Sequence, residues 1–366
     1  MTIDITGAEL GQFIEGASEL VVGPAGGLCA HRIPQPHRDR LRDAFFRYVQ
    51  WCPAGVRLRF RATGPVSVTL GSYSLTGDAA TISVRHDHDP GAVETQTLSA
   101  GGVIGFGPDG IALNPAEAAP IVVTPRSPGG LIEVLLDHRM PMEVLAISGD
   151  VTPAPDTRPV WLHYGSSISH GLEADAPHRR WPEQVAAARD LRLRDLSFAG
   201  NAQLDPLVGQ MISDAEAAVI SLAVGINLVN SDSMRERVFV PALHGLLDTI
   251  RQGHPSTPIV LSTAIAFPAG ETTPGPDAKE ADGIYRAVHR SIAADQGALT
   301  VSRTRELIAD VVAARADPQL TLHDGRDFLG PDDTALLVDG LHPGQDGIDL
   351  IAGRVIATFD GAAASD

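Results

Sequence analysis

Two short stretches of this chain hold residue types suited to nucleophilic chemistry. The first is "WLHYGSSISHG", residues 161–171, where an apolar run stops at Gly165 and serines follow at once. The second, "LLVDGLHPGQDG", holds Asp339 three residues before His342. A serine hydroxyl is a poor nucleophile until a base takes its proton. A histidine side chain, with a reference pKa of about 6.5, does this at neutral pH. An aspartate on the same loop accepts the other ring N–H and holds the useful tautomer. Acyl chemistry also needs donors preorganised around a developing oxyanion. The candidates are the N–H of Ser167, the N–H of Gly200 in "FAGN", and the side-chain amide of Asn227 in "VGIN". Each of these has an ordinary alternative: a serine caps a helix, a glycine makes a turn, and "DGLHPG" reads as a turn of its own. Together they make up the inventory of a hydrolase.

Elements must bring residues so far apart in sequence together. From residue 159 onward, apolar strands at 159–164, 192–198, 217–224, 257–265 and 319–323 alternate with helical patterns, clearest at 181–191, 234–252, 301–315 and 344–359. Such alternation predicts a parallel sheet covered on both faces. Ligands of open parallel sheets gather outside the carboxyl ends of the strands, which is where "GSSIS", "AGN" and "GIN" fall. Segment 270–300 carries neither period.

The earlier half has a different grammar. From Gly55 to about Ile147 apolar residues recur at period two, as in "GVRLRF" and "PVSVTL", between Gly, Pro and Asp turns. This predicts short antiparallel strands of a β-sandwich, here residues 1–150. The first fifty residues are less regular, with one short helix in "HRDRLRDAFFRYVQW". Residues 151–158, within a Pro-, Asp- and Thr-rich stretch, read as a linker to a catalytic domain at 159–366. His86 and His88 sit at i, i+2, a spacing that puts two histidines on one face of a strand. With no third ligand nearby they read as a solvated strand edge rather than a metal site.

Composition narrows the function classes. The chain has 366 residues and a formal charge of −17, with no basic block, which argues against nucleic-acid binding. No apolar run approaches the ~20 residues of a membrane helix. "MTIDITGAELGQF" lacks the basic start and apolar block of a secretory signal. Cys29 and Cys52 are the only cysteines and read as buried apolar residues. Together these features point to the cytoplasm. Neither a metal-ligand cluster nor a phosphate-binding glycine loop is present in the sequence, so no cofactor is expected.

With its four blocks in order, the sequence resembles the SGNH hydrolases (GDSL-type esterases and lipases) over roughly residues 156–360. The matching residues are Ser167 in "GSSIS", Gly200 in "AGN", Asn227 in "GIN", and Asp339 and His342 in "DGLHP". The resemblance implies a flavodoxin-like domain with five parallel strands. It makes Ser167 the nucleophile, with Asp339 and His342 completing the triad and Ser167, Gly200 and Asn227 forming the oxyanion hole. The usual Gly-Asp-Ser has become Gly165-Ser166-Ser167, so Ser166 stands where an acidic residue is usual. Because Asp339 fills the orienting role, activity is expected to survive this change. His163, inside its strand, reads as packing. His170 has no carboxylate placed to orient it, and Trp181 reads as core.

A jelly-roll-like sandwich ahead of an SGNH domain is similar to the two-domain carbohydrate acetylesterases. The expected activity is a serine esterase acting on short-chain, acetyl-type esters of small carbohydrates or metabolites through an acyl-enzyme. An acyltransferase or deacylase built on the same residues is the first alternative. An inactive scaffold with a glycan-binding sandwich is the second, and an intact five-residue set argues against it.

Overall fold

The computed structural model describes residues 3–99, 101–107, 110–113, 117–288 and 296–358. The chain divides into two compact units, Met1–Arg158 with Asp175–Asp195, and Pro159–Ala174 with Leu196–Asp366.

The first unit is the β-sandwich. One sheet runs through strands 110–113, 102–107, 66–74, 142–149, 28–31 and 19–22, with 3–6 added to 142–149 and 119–123 added to 66–74. The other runs through 151–153, 57–62, 130–135, 80–86 and 93–98, with 14–15 added to 57–62. Alternate residues point inward, so Leu58, Phe60, Val66, Val68, Leu70, Ile82, Val84, Ile132 and Val134 form one core. The expected linker is partly structured, since Val151–Pro153 pairs with Ala62–Phe60 as an edge strand. The first fifty residues add strands 3–6, 14–15, 19–22 and 28–31. The single helix expected there is two, Gln35–Arg38 and Ala44–Val49.

Two of the arginines that alternate with this core do not face solvent, while Arg61 on the same strand is exposed. Arg57 and Arg59 are buried, and Arg57 Nη2 meets Glu183 Oε1 at 2.7 Å. Glu133, fully buried, lies 3.6–3.8 Å from Arg57, Arg59, Arg85 and Arg158 and accepts from His88 Nδ1 at 3.0 Å. Segment 175–195 supplies Glu183 and also Asp195, whose Oδ1 lies 4.0 Å from Arg32 Nη1 of the sandwich. These charges explain why the segment packs with the sandwich. His86 and His88 are not on one strand face. The strand ends at His86, and Asp87 and His88 both take positive φ, which turns His88 toward Glu133. Cys29 and Cys52 are buried free thiols.

The parallel sheet belongs to the second unit except for residues 192–195 at the start of one strand, which fall in the first. Its strands are β1 (Val160–Gly165), β2 (Arg192–Ser197), β3 (Val219–Ala223), β4 (Ile259–Ser262) and β5 (Leu320–His323). They lie in the order β2-β1-β3-β4-β5, the flavodoxin-like order. Every residue of β1 is buried, as strands covered on both faces require. The helices are α1 (Ser167–His170), α2 (Pro206–Asp214), α3 (Ile226–Asn230), α4 (Glu236–Gly253), α5 (Val301–Arg315) and α6 (Gln345–Thr358). Segment 270–300 contributes a two-stranded hairpin, Asp277–Lys279 against Tyr285–Ala287. Among the described residues no helix is long and apolar enough to cross a membrane.

Candidate active site

The carboxyl end of β1 builds the centre of the site. A side chain on Gly165 would drive its Cβ into Ser169 Oγ and to within 2.7 Å of Ser169 Cβ, so the strand can turn into α1 only on a glycine. Ser166 is extended and caps the helix, its Oγ accepting from the Ile168 N–H at 3.3 Å. Ser167 is the first helical residue. Its N–H belongs to the first turn, whose donors have no acceptor within the helix. Ser166 thus takes the capping role, and the Ser167 side chain does not.

Ser167 Oγ lies 2.8 Å from His342 Nε2, and His342 Nδ1 lies 2.8 Å from Asp339 Oδ2. A carboxylate only accepts, so the ring proton sits on Nδ1 and leaves Nε2 as the acceptor for the Ser167 hydroxyl. Asp339 Oδ1 accepts the backbone N–H groups of His342 at 2.8 Å and Leu341 at 3.0 Å. Burial works to raise the Asp339 carboxyl. The hydrogen bonds from the His342 ring and backbone and from Leu341 outweigh it and hold the group well below the usual carboxylate range. The carboxylate therefore stays ionised opposite the histidine.

Two further blocks stand at the ends of β2 and β3. Gly200 adopts φ +70°, a left-handed turn that favours glycine, between Phe198, whose N–H donates to Gly165 O at 2.8 Å, and Asn201. Asn227 is 1% exposed, and its Oδ1 accepts the Ala202 N–H at 3.0 Å. That bond leaves the Nδ2 hydrogens as its remaining side-chain donors. Tyr164 ties the same loop to β1, its hydroxyl accepting from the Leu204 N–H at 3.2 Å.

Of the rival histidines, His163 is buried with Nδ1 2.7 Å from Ser221 Oγ, and His170 is fully buried. It is His342 that meets the Ser167 hydroxyl. Trp181 is buried at the start of the helix 181–188. A shallow surface depression beside the serine is lined by Ser167, Ile168, Leu172, Glu173, His342 and Ile348.

Three residues here were not legible from the sequence. Tyr285 presents its ring to His342 in a T-shaped arrangement, centroids 5.7 Å apart, and its backbone N–H donates to Asp339 O at 2.9 Å. Lys279 Nζ lies 3.7 Å from Asp339 Oδ2. Glu173 brings a carboxylate oxygen within 4.8 Å of ligand atoms of both Asp339 and His342. Such a trio has a metal-ligating composition, but Asp339 and His342 are already engaged with each other and with Ser167, so the cluster reads as an acid–base set.

An open parallel α/β unit with a hydrogen-bonded Ser–His–Asp line at the carboxyl end of its sheet defines a protein of the serine-hydrolase class. Residues 163–350 match the family model of GDSL-like lipases and acylhydrolases, and the chain belongs to that family. No curated protein matches it. Among solved structures it is similar to the salicylyl-acyltransferase SsfX3 from a tetracycline biosynthetic pathway, with 23% identity and TM-score 0.78 over 96% of this chain and 95% of that one. It is similar also to a family two carbohydrate esterase from Cellvibrio japonicus (13% identity, TM-score 0.59, 98% of each chain). A third is an acetyl xylan esterase, Est2A, from the rumen bacterium Butyrivibrio proteoclasticus (12%, 0.52, 99% and 98%). These likenesses speak to the fold, which pairs an SGNH domain with a β-sandwich, and the neighbours include both esterases and an acyltransferase.

Proposed function

We propose that the protein is a serine esterase that cleaves short-chain acyl esters of small carbohydrates or metabolites through an acyl-enzyme. The observation that carries this reading is the line Ser167 Oγ–His342 Nε2, 2.8 Å, and His342 Nδ1–Asp339 Oδ2, 2.8 Å. In the reaction, Ser167 Oγ bonds to the ester carbonyl carbon as its proton passes to His342 Nε2. Asp339 stabilises the imidazolium without taking a proton itself. The carbonyl oxygen becomes an oxyanion facing the N–H groups of Ser167 and Gly200 and the Asn227 amide. Collapse expels the alcohol, which takes the proton back from His342. Water then repeats the sequence on the acyl-enzyme, releasing the acid and restoring Ser167. Ile168, Leu172 and Ile348 beside Ser167 offer apolar contact to a short acyl chain.

The second reading is acyl transfer to an alcohol or amine, favoured by the fold likeness to an acyltransferase. The two share every step up to the acyl-enzyme and differ in what attacks it. Incubation with p-nitrophenyl acetate tests the shared half, and nitrophenol release that depends on Ser167 is expected. A screen of acetylated sugars with and without an added acceptor alcohol tests the second half. Acetate as the product supports the esterase, whereas acetylated acceptor in excess of acetate supports the transferase.

A further inference from the structure

Lys279 is the only lysine in the 366-residue chain, every other basic side chain apart from histidine being arginine. This single ammonium stands 3.7 Å from Asp339 Oδ2, the oxygen that also receives His342 Nδ1–H. Oδ1 is occupied by two backbone N–H groups. Three hydrogen bonds therefore reach the Asp339 carboxylate, and the lysine adds a cation at ion-pair distance from Oδ2.

The hairpin that carries Lys279 is fastened to this loop rather than draped beside it. Lys279 and Tyr285 are register partners. The Tyr285 N–H donates to Asp339 O at 2.9 Å, the Tyr285 ring meets His342, and Lys279 Nζ lies 5.7 Å from the centroid of that ring. Gly340, at φ +80°, admits the close approach of Ile284, whose Cγ2 lies 3.3 Å from where a Cβ would stand. The described charged and titratable groups around the Asp339–His342 pair are then Lys279 and Tyr285 from the hairpin, Glu173 from the turn after α1, and Ser167 at the start of α1.

We propose that Lys279 is a positioning residue that tunes the base. Its ammonium holds Asp339 Oδ2 in place and opposes build-up of a second positive charge on His342, so that the histidine stays deprotonated and competent to lower pH. The inference rests on the Ser167–His342–Asp339 reading above. A cation paired with the carboxylate oxygen that also binds the imidazole, in a half-exposed setting, changes a proton affinity by roughly half a pH unit.

The test follows the rate of covalent labelling by a fluorophosphonate probe as a function of pH, which requires the activated serine but no knowledge of the natural substrate. Lys279→Met is expected to move the acid limb upward by roughly half a pH unit, while Lys279→Arg, which keeps the charge, leaves the limb where the wild type has it. Because the lysine is unique, acetylation of the folded protein provides a second arm that bypasses folding of the variant. It should reproduce the Lys279→Met shift, and reductive dimethylation, which retains the charge, should not. A limb that stays put in Lys279→Met and in the acetylated protein, with only the amplitude reduced, overturns the proposal and leaves the hairpin a packing element. Ser167→Ala separates the two levels: labelling that persists there overturns the triad reading itself, and labelling that vanishes leaves Lys279 to be judged on the limb alone.

Discussion

Asn227 and Ala202 are joined across two loops, the Asn227 Oδ1 accepting the Ala202 backbone N–H at 3.0 Å. This bond fixes which way the amide points and ties the turn after β2 to α3 after β3. Replacing Asn227 by Ala removes the proposed oxyanion donor and leaves a buried N–H without its acceptor, a loss of about 1–3 kcal/mol in stability. The expected result with p-nitrophenyl acetate is a kcat lower by about 10²–10³ with KM little changed. A lowered Tm at wild-type kcat would restrict Asn227 to holding the loops together.

Ser166 and Ser167 are adjacent and buried, yet only Ser167 Oγ meets His342. Ser167→Ala is expected to lower kcat by roughly 10⁴ or more, since triad members act as a unit. Ser166→Ala loses a cap bond of 3.3 Å and should cost about 1 kcal/mol of stability with most activity retained. Peptide mass spectrometry after fluorophosphonate labelling reads the assignment directly, and a modified Ser166 or Ser169 would refute it.

Asp339 is held ionised by its hydrogen bonds from His342 and Leu341. A carboxyl depressed in the folded state contributes stability that is fully present above its unfolded value and is lost only as pH falls through the lower folded value. Inactivation on mild acidification should therefore precede unfolding, with kcat/KM falling between pH 7 and 5 while near-ultraviolet circular dichroism stays constant. Asp339→Asn keeps an oxygen for the two backbone donors but favours the wrong histidine tautomer, so kcat should drop by about 10⁴ with the fold retained. Parallel loss of dichroism and activity would show that acid acts on the fold instead.

Asp277 behaves in the opposite sense. Both its carboxylate oxygens are buried without a hydrogen-bond partner, and burial pushes the carboxyl up to about 6. Ionising it weakens the folded state above that pH, and the penalty fades as pH drops toward the unfolded carboxyl value. Asp277→Asn is expected to raise Tm at pH 8, at about 2–4 °C per kcal/mol recovered, with no gain at pH 4. Equal Tm values at pH 8 would show that the carboxylate finds a partner in solution.

Much of this protein was determined by its sequence alone. Period two in the first half and strand–helix alternation in the second set two kinds of domain, because side-chain periodicity follows directly from backbone geometry. β1 to β5 and α4 to α6 lie within a few residues of where the apolar patterns place them, since burial on both faces of a parallel strand leaves little choice of residue. Ser167, Gly200, Asn227, Asp339 and His342 could be picked out as candidates because each stands at a strand end or on a loop, and of these the structure joins Ser167, His342 and Asp339 by hydrogen bonds. What only the tertiary structure decided concerns groups whose partners are distant and whose local sequence carries no period. Arg57 and Arg59 alternate with core residues as solvent-facing positions do, and only the packing of Glu133 and Glu183 shows that they are buried. His86 and His88 share a strand face by spacing alone, and the positive φ at Asp87 and His88 separates them. Lys279 and Tyr285 lie in a segment with no periodic signal. Their bearing on Asp339 and His342 arises from a hairpin closing on a loop some fifty residues away, a choice made by close packing at Gly340 and one backbone hydrogen bond.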